Sequence, residues 1–442
     1  MKKISLLIVT ALFAFTNGAW AQNDNEDTEI TVTNQKGEKE VIDLPEALSY
    51  EYDSLLSVYN AKTYIRPNAN CDMPDVNPIY EKEVYKERLS RIPAVIEMPY
   101  NDVVQKLIDR YSGHLRRSVS LMLGTQNFYM PIFEQALESY GLPLELKYLP
   151  VIESALNPNA VSRVGATGLW QFMLQTGKQY GLEVNSFVDE RRDPVKASYA
   201  AAHYLSDLYK IFGDWNLVIA AYNCGPQGIN KAIHRAKGLT DYWDIYPYLP
   251  KETRGYVPAF IAANYIMNYY CDHNICPMVA ELPAKSDTIM VNRDIHFEQI
   301  AKVLNIDIET LKDLNPQYRR NIVNGSSKPS SLRLPAMAIA SFIDQQDSIY
   351  SCTVDNFQNK RTEVDITEPQ KEYSSSKYSS HSRKSAKRSS RHKKRRGRSV
   401  TIRQGDTLSD IARRNGTTVS KLKKLNKISG SSIRAGKKLK VK

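Results

Sequence analysis

One carboxylic acid stands out in the sequence: Glu153, within VIESALNPNAVSRVGATGLWQFM at residues 151–173. A glutamate set among apolar residues is seldom fully buried without a partner, so it either turns out of its helix or is kept for proton transfer. Residues 144–156 read as a helix stopped by Asn157-Pro158, because the residue before a proline is pushed out of the α region. Glu153 then lies in the last turn. There the negative end of the helix dipole, the neighbours Val151, Ile152 and Leu156, and closure by a stretch turned at Gly165 and Gly168 all disfavour the anion. A carboxyl kept protonated near neutrality can hand its proton to a departing oxygen. The plain alternative is a solvated charge at a helix end.

The elements that must position this acid are helical. Between about residues 101 and 270 apolar residues recur at helical spacing, as in Val103-Val104, Leu107-Ile108 and Tyr111, and Gly or Pro closes several segments. Residues 22–95 are polar and acidic at first, an extension that wraps or precedes the main body. Ahead of them Lys2 and Lys3, an apolar run from Ile4 to Phe15, and Ala19-Trp20-Ala21 read as a secretory signal peptide over 1–21. The run is too short for a membrane span, and no cysteine follows the expected cut to take a lipid.

Charge divides the chain. Residues 371–442 hold 24 Lys/Arg against 3 Asp/Glu, while the whole chain is +12, which leaves residues 1–370 at −9. Much of the positive charge lies in a Ser/Lys/Arg-rich stretch within 341–398, with almost nothing to bury, expected to be a disordered linker. In an exported chain this reads as an electrostatic tether, or else a merely solvated spacer, rather than a nucleic-acid arm. The linker separates two copies of one pattern: Phe297, Ile300, Ala301, Ile308, Leu311, Leu314 and Asn315 recur 111 positions later as Leu408, Ile411, Ala412, Val419, Leu422, Leu425 and Asn426. Each copy reads as a small module with two helices, and β-prone runs flank the second as β-α-α-β. The cysteines, at 71, 224, 271, 276 and 352, are too few and too scattered for a disulfide scaffold; Cys271 and Cys276 can pair, or all five can be buried small hydrophobes.

Four segments in order, "ES" at 153–154, "AVSRVGATGLWQF" at 160–172, "AAYNCG" at 220–225 and "ETRGYV" at 252–257, together with "DERRDPVKASYAAAHYL" at 189–205, resemble the motifs of the soluble-lytic-transglycosylase family (glycoside hydrolase family 23). Within that family the chain is most similar to the membrane-bound lytic murein transglycosylase D type, which also ends in LysM modules. The resemblance implies a mainly α, lysozyme-like α+β catalytic domain at 96–280, a degenerate LysM-like module at 285–340 and a LysM domain of βααβ type at 399–442. It implies Glu153 as catalytic acid/base with Tyr222 holding its carboxyl, Ser162, Gln171 and Asn223 bonding the sugar, Met173 lining the groove and Tyr256 closing it. Gly405, Asp406, Thr407 and Asn426 would hold N-acetylglucosamine on the LysM domain. Trp170 stands where the family commonly has Met and would offer a ring face to a sugar. Cys224 stands where the family has Ala. Asp189, Glu190, Arg191, Arg192 and Asp193 read as an Arg–carboxylate brace rather than a second catalytic cluster.

The implied activity is peptidoglycan lytic transglycosylation. It cleaves the MurNAc-β-1,4-GlcNAc bond and leaves a 1,6-anhydro end, in the periplasm or cell envelope, on glycan strands as partner and without cofactor, metal or nucleic acid. No second carboxylate is evident near the motifs, whereas lysozyme-type hydrolases generally use two. The alternatives are a goose-type lysozyme acting on the same bond and a catalytically lapsed LysM scaffold.

Overall fold

The computed structural model describes residues 29–33, 39–45, 48, 65–280, 282–283, 285–354, 366, 399–402, 408–415, 417–426, 428 and 437–441. The expected signal peptide, most of the basic linker and Gly405-Asp406-Thr407 lie outside the described residues. The chain divides into two compact units, residues 1–370 and 371–442.

The first unit opens with an antiparallel pair, β1 (Glu29–Thr33) and β2 (Lys39–Asp43), followed by β3 (Ile65–Arg66). Then come α1 (Lys82–Arg91), α2 (Asp102–Ser112), α3 (Arg116–Ser139), α4 (Leu149–Ser154), α5 (Leu174–Gln179), α6 (Pro194–Phe212), α7 (Trp215–Cys224), α8 (Pro226–Arg235), α9 (Tyr242–Ile245) and α10 (Lys251–Tyr269). The fold is mainly α, as its periodicity requires. From Gly255 to Met267 every residue of α10 is buried. A helix apolar on all sides must be wrapped, and α2, α4, α7 and β2 pack around it. Start signals are local: Asp193 accepts hydrogen bonds from Val195 N and Lys196 N (2.9 and 3.1 Å) ahead of Pro194 at the first helical position, and Gly213 ends α6 at φ 65°.

The N-terminal extension is part of this core. Val32, Ile42, Leu44 and Leu48 are buried in one cluster with α2, α4, α7 and α10. Glu40 pairs with Arg254, and Arg110 donates from Nε and Nη2 to Leu48 O (3.2 and 3.0 Å). Gly255 is required here, since a Cβ would come within 2.7 Å of Asp43 O. The disulfide differs from the pairing considered above: Cys276 bonds Cys71, 205 residues away, and Cys271 is exposed in the turn after α10. Pairing of β3 with β4 (Val279–Ala280) carries the N-terminal arm alongside residue 276, whereas Cys271 faces solvent.

Beyond β4, β5 (Ser286–Val291) pairs with β8 (Ser330–Pro335) and β6 (Asp294–His296) with β7 (Ile322–Asn324), around α11 (Phe297–Leu304) and α12 (Ile308–Leu314). Two more helices, α13 (Ala338–Asp344) and α14 (Gln346–Ser351), bury Phe342 and Ile349 in the same core. The linker expected from residue 341 therefore starts later, because these apolar residues find a surface to cover. Phe187 and Val188, from the segment ahead of α6, share that core, and Arg319 N donates to Phe187 O (2.8 Å).

The second unit is β9 (Ser399–Thr401), α15 (Leu408–Arg414), α16 (Val419–Asn426) and β10 (Lys438–Lys440), with β9 antiparallel to β10. The repeat extends to its hydrogen bonds. Asn315 Oδ1 accepts from Arg333 N (2.8 Å) while Nδ2 donates to Leu311 O and Arg333 O (2.9 and 2.7 Å). Asn426 Oδ1 accepts from Lys440 N (2.7 Å) while Nδ2 donates to Leu422 O and Lys440 O (2.9 and 2.8 Å).

Candidate active site

Glu153 is the penultimate residue of α4, half-buried. The helix is shorter than its sequence suggests. Residues 144–148 are 3-10, and α4 ends at Ser154, ahead of the Asn157-Pro158 expected to stop it, because Ala155 and Leu156 turn into the left-handed region at φ 49° and 58°. Leu156 N and Ala155 N donate back to Pro150 O and Val151 O (both 3.2 Å), so the helix closes on its own carbonyls. Two non-glycine residues in that region store strain. Ser154 Oγ anchors the turn with a hydrogen bond to Leu169 O (2.9 Å).

Residues 157–173 form a small antiparallel fold in which Val161 bridges to Thr167 and Thr167 to Phe172. Its brace is Arg191. The guanidinium grips Asp189 through Nε and Nη2 (both 2.9 Å) and donates from Nη1 to Gly165 O (3.1 Å) and Phe172 O (3.2 Å). The expected Arg–carboxylate brace is thus present and tied to the loop beside Glu153. Gly168, at φ 88°, lets the Arg191 carbonyl in; a Cβ there would lie 1.9 Å from that oxygen.

Glu153, Ser162, Gln171, Met173, Tyr222, Asn223 and Tyr256 all line one cavity of about 320 Å³. Ser162 Oγ accepts from Ala166 N (3.0 Å), which leaves its proton to donate. Gln171, at φ 48°, gives both amide protons to backbone, Nε2 to Gly168 O (2.8 Å) and Ala160 O (3.3 Å), so its Oε1 is the atom left for a ligand hydroxyl. Asn223 Oδ1 accepts from Thr253 Oγ1 (2.8 Å), which leaves its amide N–H groups toward the cavity.

The tyrosines exchange parts relative to expectation. Tyr256 donates to Glu153 Oε1, whereas the Tyr222 hydroxyl donates to Trp170 O (2.8 Å). A phenol has one proton, and that of Tyr222 is spent on the loop. Burial first, and then the charge of Glu153, push both phenols well above the usual phenol range, so both remain protonated donors. A donor aimed at a carboxylate favours the ionised form and opposes the helix end and the apolar surroundings.

Other expectations need correction. Trp170 offers no face to a sugar: it is fully buried, edge-on to Phe133 at 5.2 Å, with Nε1 donating to Ser198 Oγ (2.9 Å). A second carboxylate does reach the cavity, that of Glu252, so a lack of one cannot decide the chemistry. Its signal was available, since Glu252 precedes Tyr256 by four residues and falls on the same helix face. Pro45 and Tyr204 also line the cavity; no local pattern foretells Pro45. Burial raises the Cys224 thiol above its ordinary value, away from a thiolate nucleophile. In the second unit Asn426 spends its amide on β10 and α16, because the last strand needs that clamp, and so it serves the fold rather than a glycan.

A larger cavity of about 940 Å³ adjoins α6. Its two carboxylates are engaged in ion pairs, Glu190 with Lys196 and Glu183 with Lys328, and none of the motif residues that line the smaller cavity with Glu153 lines it. Among the described residues no three His, Cys, Asp or Glu gather as metal ligands.

Residues 130–244 match the transglycosylase SLT domain, 285–351 the LysM-like domain of lytic transglycosylase MltD, and 400–442 the LysM domain. The chain is 28% identical over 347 residues to membrane-bound lytic murein transglycosylase D of Escherichia coli (strain K12), covering 77% of this chain and 69% of that protein. It is 32% identical over 124 residues to the soluble lytic murein transglycosylase of the same strain, covering 27% of this chain and 19% of that protein. Among solved structures, the 70 kDa soluble lytic transglycosylase of Escherichia coli aligns over 33% of this chain and 25% of its own, at 28% identity and a TM-score of 0.29.

Proposed function

We propose that this chain, homologous to membrane-bound lytic murein transglycosylase D and carrying an SLT domain with two LysM-type domains, is a peptidoglycan lytic transglycosylase. The observation that carries the reading is the Tyr256–Glu153 hydrogen bond inside the cavity lined by the SLT motif residues. Glu153 gives its proton to the glycosidic oxygen as the bond from the muramic C1 to GlcNAc O4 breaks. The substrate's N-acetyl group holds the positive charge at C1, the substrate-assisted variant of glycoside cleavage. Glu153, now ionised, takes the proton of the muramic C6 hydroxyl as O6 closes on C1. No water is consumed, and intramolecular attack gains from proximity. Tyr256 orients the carboxylate; Ser162, Gln171 and Asn223 bond the sugars, and Met173 packs beside them. Tyr222 holds the loop that presents Gln171.

The signal peptide at 1–21 exports the chain to the periplasm, where residues 96–280 cleave glycan. The 399–442 domain, through Gly405, Asp406 and Thr407, and the basic linker hold the enzyme on the wall. No helix among the described residues is long and apolar enough to cross a membrane. The goose-type lysozyme and lapsed-scaffold readings are not favoured by the SLT and transglycosylase relatives.

The test is digestion of purified murein. The products should end in 1,6-anhydro-MurNAc and resist borohydride. Glu153→Gln, which loses two proton transfers each worth about 10²–10⁴-fold, should fall to background while still binding glycan. Products that borohydride reduces, or undiminished cleavage by Glu153→Gln, would refute the reading.

A further inference from the structure

A further cavity, of about 820 Å³, takes Lys39 and Glu40 of β2 into its lining and is walled by Tyr100, Trp243 and Tyr246. Its position follows from α10. Glu252 and Tyr256 face the catalytic cavity, and Arg254, two residues from each, faces this one. The Trp243 and Tyr246 rings stack at 6.0 Å and 24°.

Three polar atoms here have no hydrogen-bond partner: Tyr100 Oη, Trp243 Nε1 and Tyr246 Oη. Each is out of reach of solvent, and Tyr246 as a whole is only 9% exposed. A buried polar group left unpaired costs about 1–3 kcal/mol and calls for an explanation. Three around one cavity call for a common one. Burial pushes the Tyr246 phenol up to about 12, so it stays a donor.

Charge adds the remaining constraint. Among the described residues lining the cavity, Lys39, Lys82, Lys86 and Arg254 face two carboxylates, Glu40 and Asp102. Arg254 is paired with Glu40 and Lys82 with Asp102 (3.5 Å). Lys86 lies 5.6 Å from the Tyr100 ring and 3.8 Å from the exposed Glu83. This positive excess sits in a part of the chain that carries −9 overall.

We propose that this cavity is a second saccharide site, for an acidic, peptide-bearing segment of the glycan, separate from the site of cleavage. Ring faces take the apolar faces of sugars, while phenol and indole hydrogens that now lack partners meet ring hydroxyls after a small opening of the wall. Lys39 and Lys86 meet the peptide carboxylates. The assignment rests on the peptidoglycan reading for its ligand, and it gives the N-terminal hairpin a binding role.

The test uses the full chain as Glu153→Gln, so that ligand is not consumed, with 5-fluorotryptophan in place of its four tryptophans. The Trp243 fluorine signal is assigned by Trp243→Phe. Titration with a disaccharide-tetrapeptide should shift that signal, and chitotetraose at equal concentration should shift it less. Lys39→Glu with Lys86→Glu should weaken the response at least about tenfold. With Glu153 restored, that double variant should cleave short soluble strands at the parent rate. A Trp243 signal that does not move at saturation, or one that responds equally in the double variant or to the neutral glycan, would overturn the site. Murein digestion by the wild type is read separately: failure to form anhydro ends would sink the catalytic reading, while the fluorine titration still decides this one.

Discussion

The two groove tyrosines carry different burdens although both stay protonated. Tyr256 spends its proton on Glu153 Oε1 and Tyr222 on the Trp170 carbonyl. Tyr256→Phe keeps the volume and removes the donor. A hydrogen bond to a charged group is worth about 1.5–3 kcal/mol, so turnover should fall by roughly 10- to 100-fold with KM changed little. Tyr222→Phe should cost less turnover and raise KM more, because it loosens the loop that presents Gln171. Steady-state kinetics on soluble glycan fragments separate the two, and equal losses of turnover would show that the phenols do not divide the work in this way.

At the scale of elements the same device closes both modules: an asparagine at the end of the second helix clamps the last strand through two hydrogen bonds and ties back to its own helix through a third. The second unit has a small core, chiefly Ile402, Leu408, Ile411, Leu422 and Leu439 among the described residues, so the clamp is a large share of its stability. Asn426→Ala should cost about 2–3 kcal/mol there. In the full chain, hydrogen exchange should speed up across 437–441 while exchange in α10 and turnover on soluble glycan stay as in the parent. Unchanged protection of the last strand would make the clamp dispensable.

At the scale of the whole molecule, charge and contacts divide the chain at the same place, near residue 370. Truncation after Gln370 should lower retention on sacculi and leave the rate on soluble fragments within a few-fold. Retention equal to the full chain would remove the tail from anchoring. A second whole-chain property is acid sensitivity. His273 is buried, with Nδ1 2.9 Å from Asn77 Oδ1 and Nε2 3.1 Å from Tyr265 Oη, tying the N-terminal arm to the end of α10. Burial, and then the Arg88 charge, lower its pKa from 6.5 to about 4. The unfolded chain therefore binds this proton first as pH falls. The contribution to stability is complete above about pH 6.5 and is lost on acidification toward 4. The loss of Tm over that window should be smaller in His273→Gln; parallel curves would rule this histidine out.

The sequence alone determined the helical class, the acid at a helix end, the four ordered segments that carry the family likeness, and the repeat 111 residues apart. Each is written in spacings of a few residues or in a pattern laid on itself, and local backbone geometry turns such spacings into helices and strands. Tertiary structure decided which tyrosine reaches Glu153 across 103 residues, that Trp170 turns to the core, that Glu252 and Pro45 join the cavity, that Cys71 and not Cys271 takes Cys276, and that Asn426 serves the fold. Each is a contact between segments far apart in the chain. Tyr256, Glu252 and Pro45 meet Glu153 because α10 runs through the core of the first unit, with its faces divided among α2, α4, α7 and the N-terminal hairpin, while Trp170 is set by α3 and α6 and Asn426 by the last strand of its own module. Such a division comes from the close packing of the whole unit, which no short spacing along the chain records.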